Sequence, residues 1–167
     1  ISQTNAGQIV VNALRVEGRY VNLDDATPNL NDVAVIAGKT STSSFNFESG
    51  RTGGFEVGTV DGLSGIQAGT SASRTDVRLK SSGGASAHIT QATNAHVRGA
   101  TGEFLSTGDV TLLNSGNELS TLKGNTSGAY RVNSNRDVLL DSISASGNST
   151  GITTSTTAIG ISAQSIT

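Results

Sequence analysis

Three aspartates form the densest acidic group in the sequence and are the first candidates for metal binding: Asp24, Asp25 and Asp32. A calcium site needs about six to eight oxygen ligands that converge on one point. The glycine-rich calcium nonapeptide of toxin repeats is not matched, because the stretch GGASAH at 83–88 lacks its aspartate. We therefore interpret the three aspartates as turn residues whose carboxylates cap loop amides.

The two histidines of the chain, His88 and His96, stand eight positions apart and could flank one turn. Two imidazoles without a third ligand make a poor zinc site. We predict that both occupy surface or turn positions, and that the chain carries no metal ion and no cofactor.

Cleavage of polysaccharides would need paired carboxylates, or an aspartate with lysine or arginine, on one face of the protein. Glu48 and Arg51 are close in the sequence, and Asp76, Arg78 and Lys80 alternate along one predicted strand. Opposite charges that alternate outward on a strand also support each other. Cleavage or binding of carbohydrate is kept as the alternative function, and no catalytic residue is assigned.

Two threonine-rich stretches, TSTSS at 40–44 and TTSTT at 153–157, raise the question of ice binding. Ice binding requires one flat face on which rows of threonine recur at regular intervals along the whole protein. Each stretch occurs at most once per repeat unit, so ice binding is not predicted.

These residues are positioned by a chain that repeats itself. FNFESGR at 45–51 is matched by YRVNSNR at 130–136, and the other landmarks recur in the same order. The matched pairs are ISQTNAG from 1 with ITQATNA from 89, 20–30 with 109–119, GKTS at 38–41 with GNTS at 124–127, LSGI at 63–66 with STGI at 149–152, and SAHIT at 86–90 with AQSIT at 163–167. A long, loosely spaced period indicates a repeat architecture. We predict one segment, 1–167, with units at about 1–88 and 89–165.

The repeat predicts equivalent positions in the two units. Phe45 and Tyr130 should fill the same place, as should Phe47 and Val132. By the same argument the arginines that end the two matched stretches, Arg51 and Arg136, should close the same turn. A structural residue is expected to appear once per unit, whereas a catalytic residue is not.

A finer period of 10 to 12 residues separates the apolar strand centres, which are Val21, Val33, Phe45, Phe55, Ile66, Val77 and Ile89. Around most of them apolar and polar residues alternate, as in a strand with one buried face. The residues predicted to point inward are Val21, Leu23, Val33, Phe45, Phe47, Phe55, Val57, Val77, Leu79, Val110, Leu112, Tyr130 and Val132.

Composition supports an all-β class. Glycine, serine, threonine and asparagine account for 78 of the 167 residues, and all four disfavour helix interiors. The 35 valine, isoleucine and leucine residues, with a net charge of only -2, still provide a core and argue against disorder. Cysteine is absent, so no disulfide framework is possible. The basic residues are scattered and form no stripe that would bind nucleic acid. No apolar run is long enough for a membrane-spanning helix. The chain begins and stops within a pattern, so we expect a piece of something longer.

Evenly spaced strands also fit a sandwich or barrel. Asp61-Gly62 is the only Asp-Gly pair, however, and Asn-Gly is absent, so hairpin signals are scarce. Sandwiches do not usually repeat their own sequence. We therefore predict a β-solenoid, in which coils stack in parallel and like residues stack on like.

Two stretches, GDVTLLNSGNELSTLKGNTSG at 108–128 and FEVGTVDGLSGI at 55–66, resemble the repeats of filamentous-haemagglutinin-like exoproteins, the secreted passengers of bacterial two-partner secretion. The resemblance covers nearly the whole chain, with degenerate motifs. It implies a right-handed parallel β-helix in a secreted or cell-surface filament, usually an adhesin. The export domain of such proteins carries Asn-Pro motifs, whereas this chain has a single proline, Pro28, so the resemblance implies a stalk segment.

The expected function is therefore that of a non-enzymatic rigid spacer in a filamentous adhesin, secreted or held at the bacterial cell surface. Coils of about 22 residues, each adding about 4.8 Å, would give roughly 7 or 8 coils and a rod of about 35 Å. Expected partners are neighbouring coils of the same longer chain, and a host or bacterial surface receptor or glycan. Nucleic acid and membrane insertion are not expected.

Overall fold

The computed structural model describes residues 1–3, 7–24, 31–141, 152–154 and 159–162, and for the last two stretches it describes the backbone alone. Within these residues the chain forms strands and connections and no helix. The strands are β1 (Val10–Gly18), β2 (Val21–Leu23), β3 (Asp32–Thr40), β4 (Phe45–Ser49), β5 (Gly54–Val57), β6 (Thr59–Val60), β7 (Leu63–Ser64), β8 (Ile66–Gln67), β9 (Val77–Ser81), β10 (His88–Gln91), β11 (Val97–Arg98), β12 (Thr101–Ser106), β13 (Val110–Leu112), β14 (Thr121–Thr126), β15 (Tyr130–Asn133), β16 (Leu139–Leu140), β17 (Ile152–Thr154) and β18 (Ile159–Ser162).

Two sheets account for all the described strands except β6 and β7. The nine-stranded sheet has the order β11-β8-β3-β5-β10-β13-β15-β18, with β1 also paired to β3. The seven-stranded sheet has the order β16-β14-β12-β9-β4-β2, with β17 also paired to β14. Every strand pair within these two sheets is parallel. The prediction of an all-β protein with parallel pairing is confirmed, and the arrangement is consistent with a parallel β-helix.

The spacing between paired strands is 20 to 22 positions at four steps of the nine-stranded sheet, which join β1 to β3, β3 to β5, β10 to β13 and β13 to β15. Val10 pairs with Asp32, 22 positions later, and Ile89 pairs with Val110, 21 positions later. The step from Phe55 to Ile89 is longer, at 34 positions. The stretch between Phe55 and Ile89 is longer because it contains the β6–β7 hairpin and the connection 68–76. The step from β10 to β13 has only short connections in their place.

The β6–β7 hairpin is built on the one Asp-Gly pair of the sequence. Asp61 and Gly62 have φ angles of 47° and 78°, so both adopt the left-handed conformation of a type I′ turn. The hairpin leaves and rejoins the nine-stranded sheet beside β3, because Gly58 donates its N–H to Ile36 and Gly38 donates to Gly65. It is the only antiparallel strand pair within the described residues.

The core lies between the two sheets and follows the alternation of the sequence. All thirteen residues predicted to point inward are less than 5% exposed, and the seven predicted strand centres all lie in strands. On β9 the alternation is complete, since Val77 and Leu79 are buried while Arg78 and Lys80 are only partly covered. The prediction of the buried face is therefore confirmed.

The prediction that Phe45 and Phe47 occupy the same places as Tyr130 and Val132 is wrong, because the two pairs belong to different sheets. Phe45 and Phe47 lie on β4 in the seven-stranded sheet, whereas Tyr130 and Val132 lie on β15 in the nine-stranded sheet. The local surroundings are nevertheless alike, since each of the two aromatic rings packs against a glycine. The reason is that unequal connections place the second copy of the pattern at a different point along the path of the chain.

Candidate functional site

Each repeated aromatic residue lies against a repeated glycine. A β-carbon on Gly38 would lie 2.1 Å from Cε2 of Phe45, and one on Gly124 would lie 2.5 Å from Cε2 of Tyr130. Both rings are fully buried, and the Tyr130 hydroxyl donates to the carbonyl of Lys123 at 3.2 Å. The glycines of the GKTS and GNTS landmarks are therefore needed because any side chain there would occupy the space of the ring.

A buried amide holds the turn before β3. Asn31 is fully buried, and its Nδ2 donates to the carbonyls of Leu23 at 3.0 Å and Glu48 at 3.1 Å. Its Oδ1 accepts the N–H of Ile9 at 3.0 Å and the side-chain amide of Gln3 at 2.7 Å. One side chain thus satisfies backbone groups from three separate segments, which would otherwise be buried without partners.

Asn117 repeats this network with the same types of partner. It too is fully buried, and its Nδ2 donates to the carbonyls of Leu112 at 3.1 Å and Asn133 at 3.2 Å. Its Oδ1 accepts the N–H of Val97 at 2.8 Å and the amide of Gln91 at 2.6 Å. Every partner lies 85 to 89 positions after its counterpart, so the sequence repeat corresponds to a repeated piece of structure.

The serines and arginines of the two opening stretches complete these networks. The N–H of Arg51 is donated to Oγ of Ser49 at 3.3 Å, and the N–H of Arg136 is donated to Oγ of Ser134 at 3.2 Å. The two serine hydroxyls also accept a backbone N–H from the buried residue two positions after each asparagine, Val33 for Ser49 and Leu119 for Ser134. The prediction that Arg51 and Arg136 close the same turn is confirmed for this local geometry.

We call the Asn31 and Asn117 networks, with their serine and arginine, the two polar corners. The first lies where β2 and β4 of the seven-stranded sheet end and β3 begins. The second lies within the nine-stranded sheet, where β13 and β15 end and β11 begins. The same motif therefore builds two different corners. Because each asparagine amide is fully engaged, the two asparagines stabilise the turns and offer no free amide group for ligand chemistry.

The polar corners also correct the alignment of the landmarks at 20–30 and 109–119. Asn31 follows Leu23 by eight positions, whereas Asn117 follows Leu112 by only five. The first copy thus has a connection three residues longer, and its asparagine lies just beyond the landmark quoted from the sequence. Residues 25–30 of this connection lie outside the described part of the chain.

The acidic group does not converge on one point. Asp24 pairs with Arg78 at 2.6 Å, and Asp32 pairs with Arg51 at 2.6 Å. The carboxylates that we expected to cap loop amides instead bind arginine side chains, while Asp25 lies outside the described residues. Among the described residues, no group of three or more His, Cys, Asp or Glu could hold a metal ion.

The two histidines lie in different surroundings. His88 begins β10, and its Nδ1 accepts the N–H of Asp109 at 2.8 Å. His96 lies in the turn before β11, where its ring covers Gly116 so closely that a β-carbon there would be 2.4 Å from Cε1. The prediction of surface or turn positions is therefore confirmed for both, since His96 lies in a turn and the side chain of His88, although on a strand, is 39% exposed.

The residues considered for polysaccharide cleavage are paired differently from the sequence expectation. Glu48 does not bind Arg51; its carboxylate pairs with Lys80 at 2.8 Å and accepts the Ser82 hydroxyl at 2.8 Å. Asp76 precedes β9 and is exposed. The outward alternation of charge along β9 is confirmed.

Sequence reasoning missed Glu103, which joins this outward face from β12. Its carboxylate lies 3.1 Å from Nε of Arg78, which also binds Asp24, and its side chain is only 6% exposed. Glu103 could have been found only from the parallel strand register, which pairs it with Arg78 although the two residues are 25 positions apart. Carboxylates and cations therefore alternate across neighbouring strands and neutralise each other.

A second charged group that the sequence did not reveal surrounds Glu118. Oε2 of Glu118 accepts from Nη2 of Arg74 at 3.1 Å and from Nη2 of Arg136 at 3.0 Å, and Oε1 lies 3.2 Å from Nε of Arg98. We call these three arginines the arginine cluster. Partial burial acts to raise the pKa of Glu118, but the hydrogen bonds from Arg136 and Arg74 and the nearby positive charges outweigh it, so the pKa lies below its ordinary value.

The threonine stretches form no exposed rank in the described residues. Thr40 is fully buried, so its side chain belongs to the interior. Residues 155–157 of the second stretch lie outside the described part of the chain.

Comparison of the chain with models of protein families, with curated proteins and with solved structures finds no match. The described residues contain no helix long and apolar enough to cross a membrane.

Proposed function

We propose that this chain is a segment of a right-handed parallel β-helix that acts as a rigid, non-enzymatic spacer. It would form part of the stalk of a secreted or cell-surface bacterial adhesin of the filamentous-haemagglutinin-like kind. The observation that carries the proposal is the pair of polar corners. A repeated structural element needs the same turn device more than once, whereas a catalytic or binding site is required only once.

The strand spacing supports a coiled path. Four of the eight described strand pairs in the nine-stranded sheet are 20 to 22 positions apart, while the strands between the members of each pair belong mainly to the other sheet. Each coil would add about 4.8 Å of length through its ladder of parallel hydrogen bonds. Because each coil contacts only its neighbours, such a rod can be lengthened without redesigning a central core.

The charged residues on the outward face of β9 support a structural role over the carbohydrate-active alternative. Glu48 and Glu103 are each only 6% exposed, and each is held by a cation from β9. Paired charges of this kind hold neighbouring strands in register. The proposed partners are adjoining coils of the same longer chain and a receptor or glycan at a host or bacterial surface.

The rigid-rod part of the proposal can be tested by distance measurements between spin labels. The chain has no cysteine, so paired cysteines introduced at exposed positions can be labelled without background. Asn12 on β1 and Arg131 on β15 are exposed and five strand spacings apart, about 24 Å of backbone separation. Asn12 and Thr90 on β10 are three spacings apart, about 14 Å.

A rigid spacer predicts narrow distance distributions whose means increase with the number of intervening strands. The two pairs share the label at Asn12, so the contribution of the label arm is largely common to both. Broad distributions, or equal means for the two pairs, would contradict a rod with one coil per strand spacing.

A further inference from the structure

We propose that the arginine cluster is a binding site for a sulfate- or phosphate-type oxyanion. Arg74, Arg98 and Arg136 bring three positive charges to the single carboxylate of Glu118, which leaves a local excess of two. Asp137 follows Arg136 in the sequence but is exposed and forms no ion pair within the described residues. Within the described residues, this excess positive charge is therefore not neutralised.

The cluster also has more hydrogen-bond donors than its carboxylate can use. Each guanidinium carries five N–H groups, whereas one carboxylate has two oxygens with about four acceptor positions. Nε and Nη1 of Arg74 are buried and have no hydrogen-bond partner among the described residues. Partly buried cations without a full set of acceptors are costly, and an added anion would reduce that cost.

Burial within the cluster divides the three arginines into two roles. The side chain of Arg74 is 14% exposed and provides a fixed positive charge behind the cluster. The side chains of Arg98 and Arg136 are 34% and 54% exposed, so their remaining donors can reach a ligand from solvent. Since both contact the same carboxylate, their charged ends converge, and a planar guanidinium fork suits two oxygens of a tetrahedral oxyanion.

The position of Arg74 shows that the cluster does not arise from strand register alone. Arg98 and Glu118 are neighbours through a parallel bridge, whereas Arg74 comes from the 68–76 connection, 44 positions before Glu118. That connection is part of the long step from β5 to β10. This site goes beyond the spacer role and does not depend on it.

The test is isothermal titration calorimetry of the full 167-residue chain with sodium sulfate in a chloride buffer at constant ionic strength. Arg136→Gln removes the most exposed donor group and should weaken sulfate binding by about three- to tenfold. Arg131→Gln, which removes an exposed arginine outside the cluster, is the matched control and should leave the affinity unchanged. Glu118→Gln removes the competing carboxylate and should strengthen binding by a similar factor.

Circular dichroism establishes whether each variant is folded. If Glu118→Gln is unfolded, the ratio of the affinities of Arg136→Gln and Arg131→Gln decides the question. No measurable sulfate binding by the wild-type chain, or equal affinities for these two arginine variants, would overturn the proposal.

A second titration distinguishes the source of the oxyanion. A sulfated oligosaccharide that binds more tightly than free sulfate, and loses that affinity on Arg136→Gln, would identify a sulfate ester on a polysaccharide as the ligand. The unsulfated oligosaccharide is the control and should not bind the cluster. Equal affinity of free sulfate and sulfated sugar would assign the site to the free ion.

Discussion

The ring of Tyr130 occupies the space that a side chain on Gly124 would need, because a β-carbon there would lie 2.5 Å from Cε2. Phe45 has the same relationship to Gly38, although the two aromatic residues belong to different sheets. The pattern of a glycine followed by a nearby aromatic residue is thus a packing unit that can be placed on either sheet.

Replacing Gly124 by alanine should destabilise the protein by about 1–3 kcal/mol, because the ring and the nearby carbonyl of Phe104 would have to move. Chemical denaturation measures the free energy of unfolding. Gly18→Ala is the control, since its β-carbon would meet no atom closer than 3.3 Å. A cost for Gly18→Ala equal to that for Gly124→Ala would contradict the packing argument.

Replacing Asn117 by alanine should cost on the order of 3 kcal/mol, because several buried backbone groups and the Gln91 amide would lose their partner. Asn31→Ala should cost a similar amount if the two polar corners are equivalent. Asn125→Ala, at an exposed position on β14, is the matched control and should cost less than about 0.5 kcal/mol. Thermal or urea denaturation of the three variants tests the equivalence directly.

The sequence predicts those features of this fold that depend on local pattern. Alternation around Val21, Phe45 and Val77 identifies the buried face, because side chains on a strand alternate between its two faces. The repeat predicts parallel pairing, since copies of one strand stack most simply in the same direction. Within the described residues, the one antiparallel strand pair occurs at Asp61-Gly62, the only Asp-Gly pair of the sequence.

The features that were not predicted depend on the lengths of the connections. The ion pairs of Glu48 with Lys80 and of Arg74 with Glu118 join residues 32 and 44 positions apart. Which residues become neighbours across strands is determined by each connection between them, and a change of three residues shifts the register. The same effect placed Phe45 and Tyr130 in different sheets, although their local surroundings were correctly expected to match.

The pH dependence of stability should reveal the lowered pKa of Glu118. A carboxylate whose pKa is lower in the folded than in the unfolded state stabilises the protein above its unfolded pKa of about 4.3. That contribution is lost as the pH falls through the lower folded-state pKa. The difference in melting temperature between wild type and Glu118→Gln should therefore be largest near neutral pH and should shrink below about pH 4.

The matched control for this experiment is Glu17→Gln, which removes an exposed carboxylate that pairs with Arg15. Its effect should stay below about 0.5 kcal/mol. Melts in chloride buffers keep sulfate and phosphate away from the arginine cluster. A difference between wild type and Glu118→Gln that grows on acidification would contradict the stabilising role of the charged carboxylate.

The non-enzymatic proposal predicts that the purified chain releases no product from a panel of acidic and neutral polysaccharides. Glu48 is held by Lys80 and Ser82, so its carboxylate is engaged in structure. Reducing-sugar and ultraviolet assays detect hydrolysis and elimination respectively. Cleavage that is abolished by Glu48→Gln or Asp76→Asn would support the carbohydrate-active alternative instead.

The last prediction tests the assignment of the two strand faces. Leu112 on β13 is fully buried, so Leu112→Asp would bury an unpaired carboxylate and remove aliphatic packing, at a cost on the order of 3–5 kcal/mol. Asn22 on β2 lies on the outward face between buried Val21 and Leu23, and Asn22→Asp should cost less than about 0.5 kcal/mol. Its side-chain oxygen accepts from Asn46 at 3.2 Å, and an aspartate oxygen can still accept that bond. Thermal melts rank the two variants, and a greater loss for Asn22→Asp would show that the faces, and the parallel register built on them, are wrongly assigned.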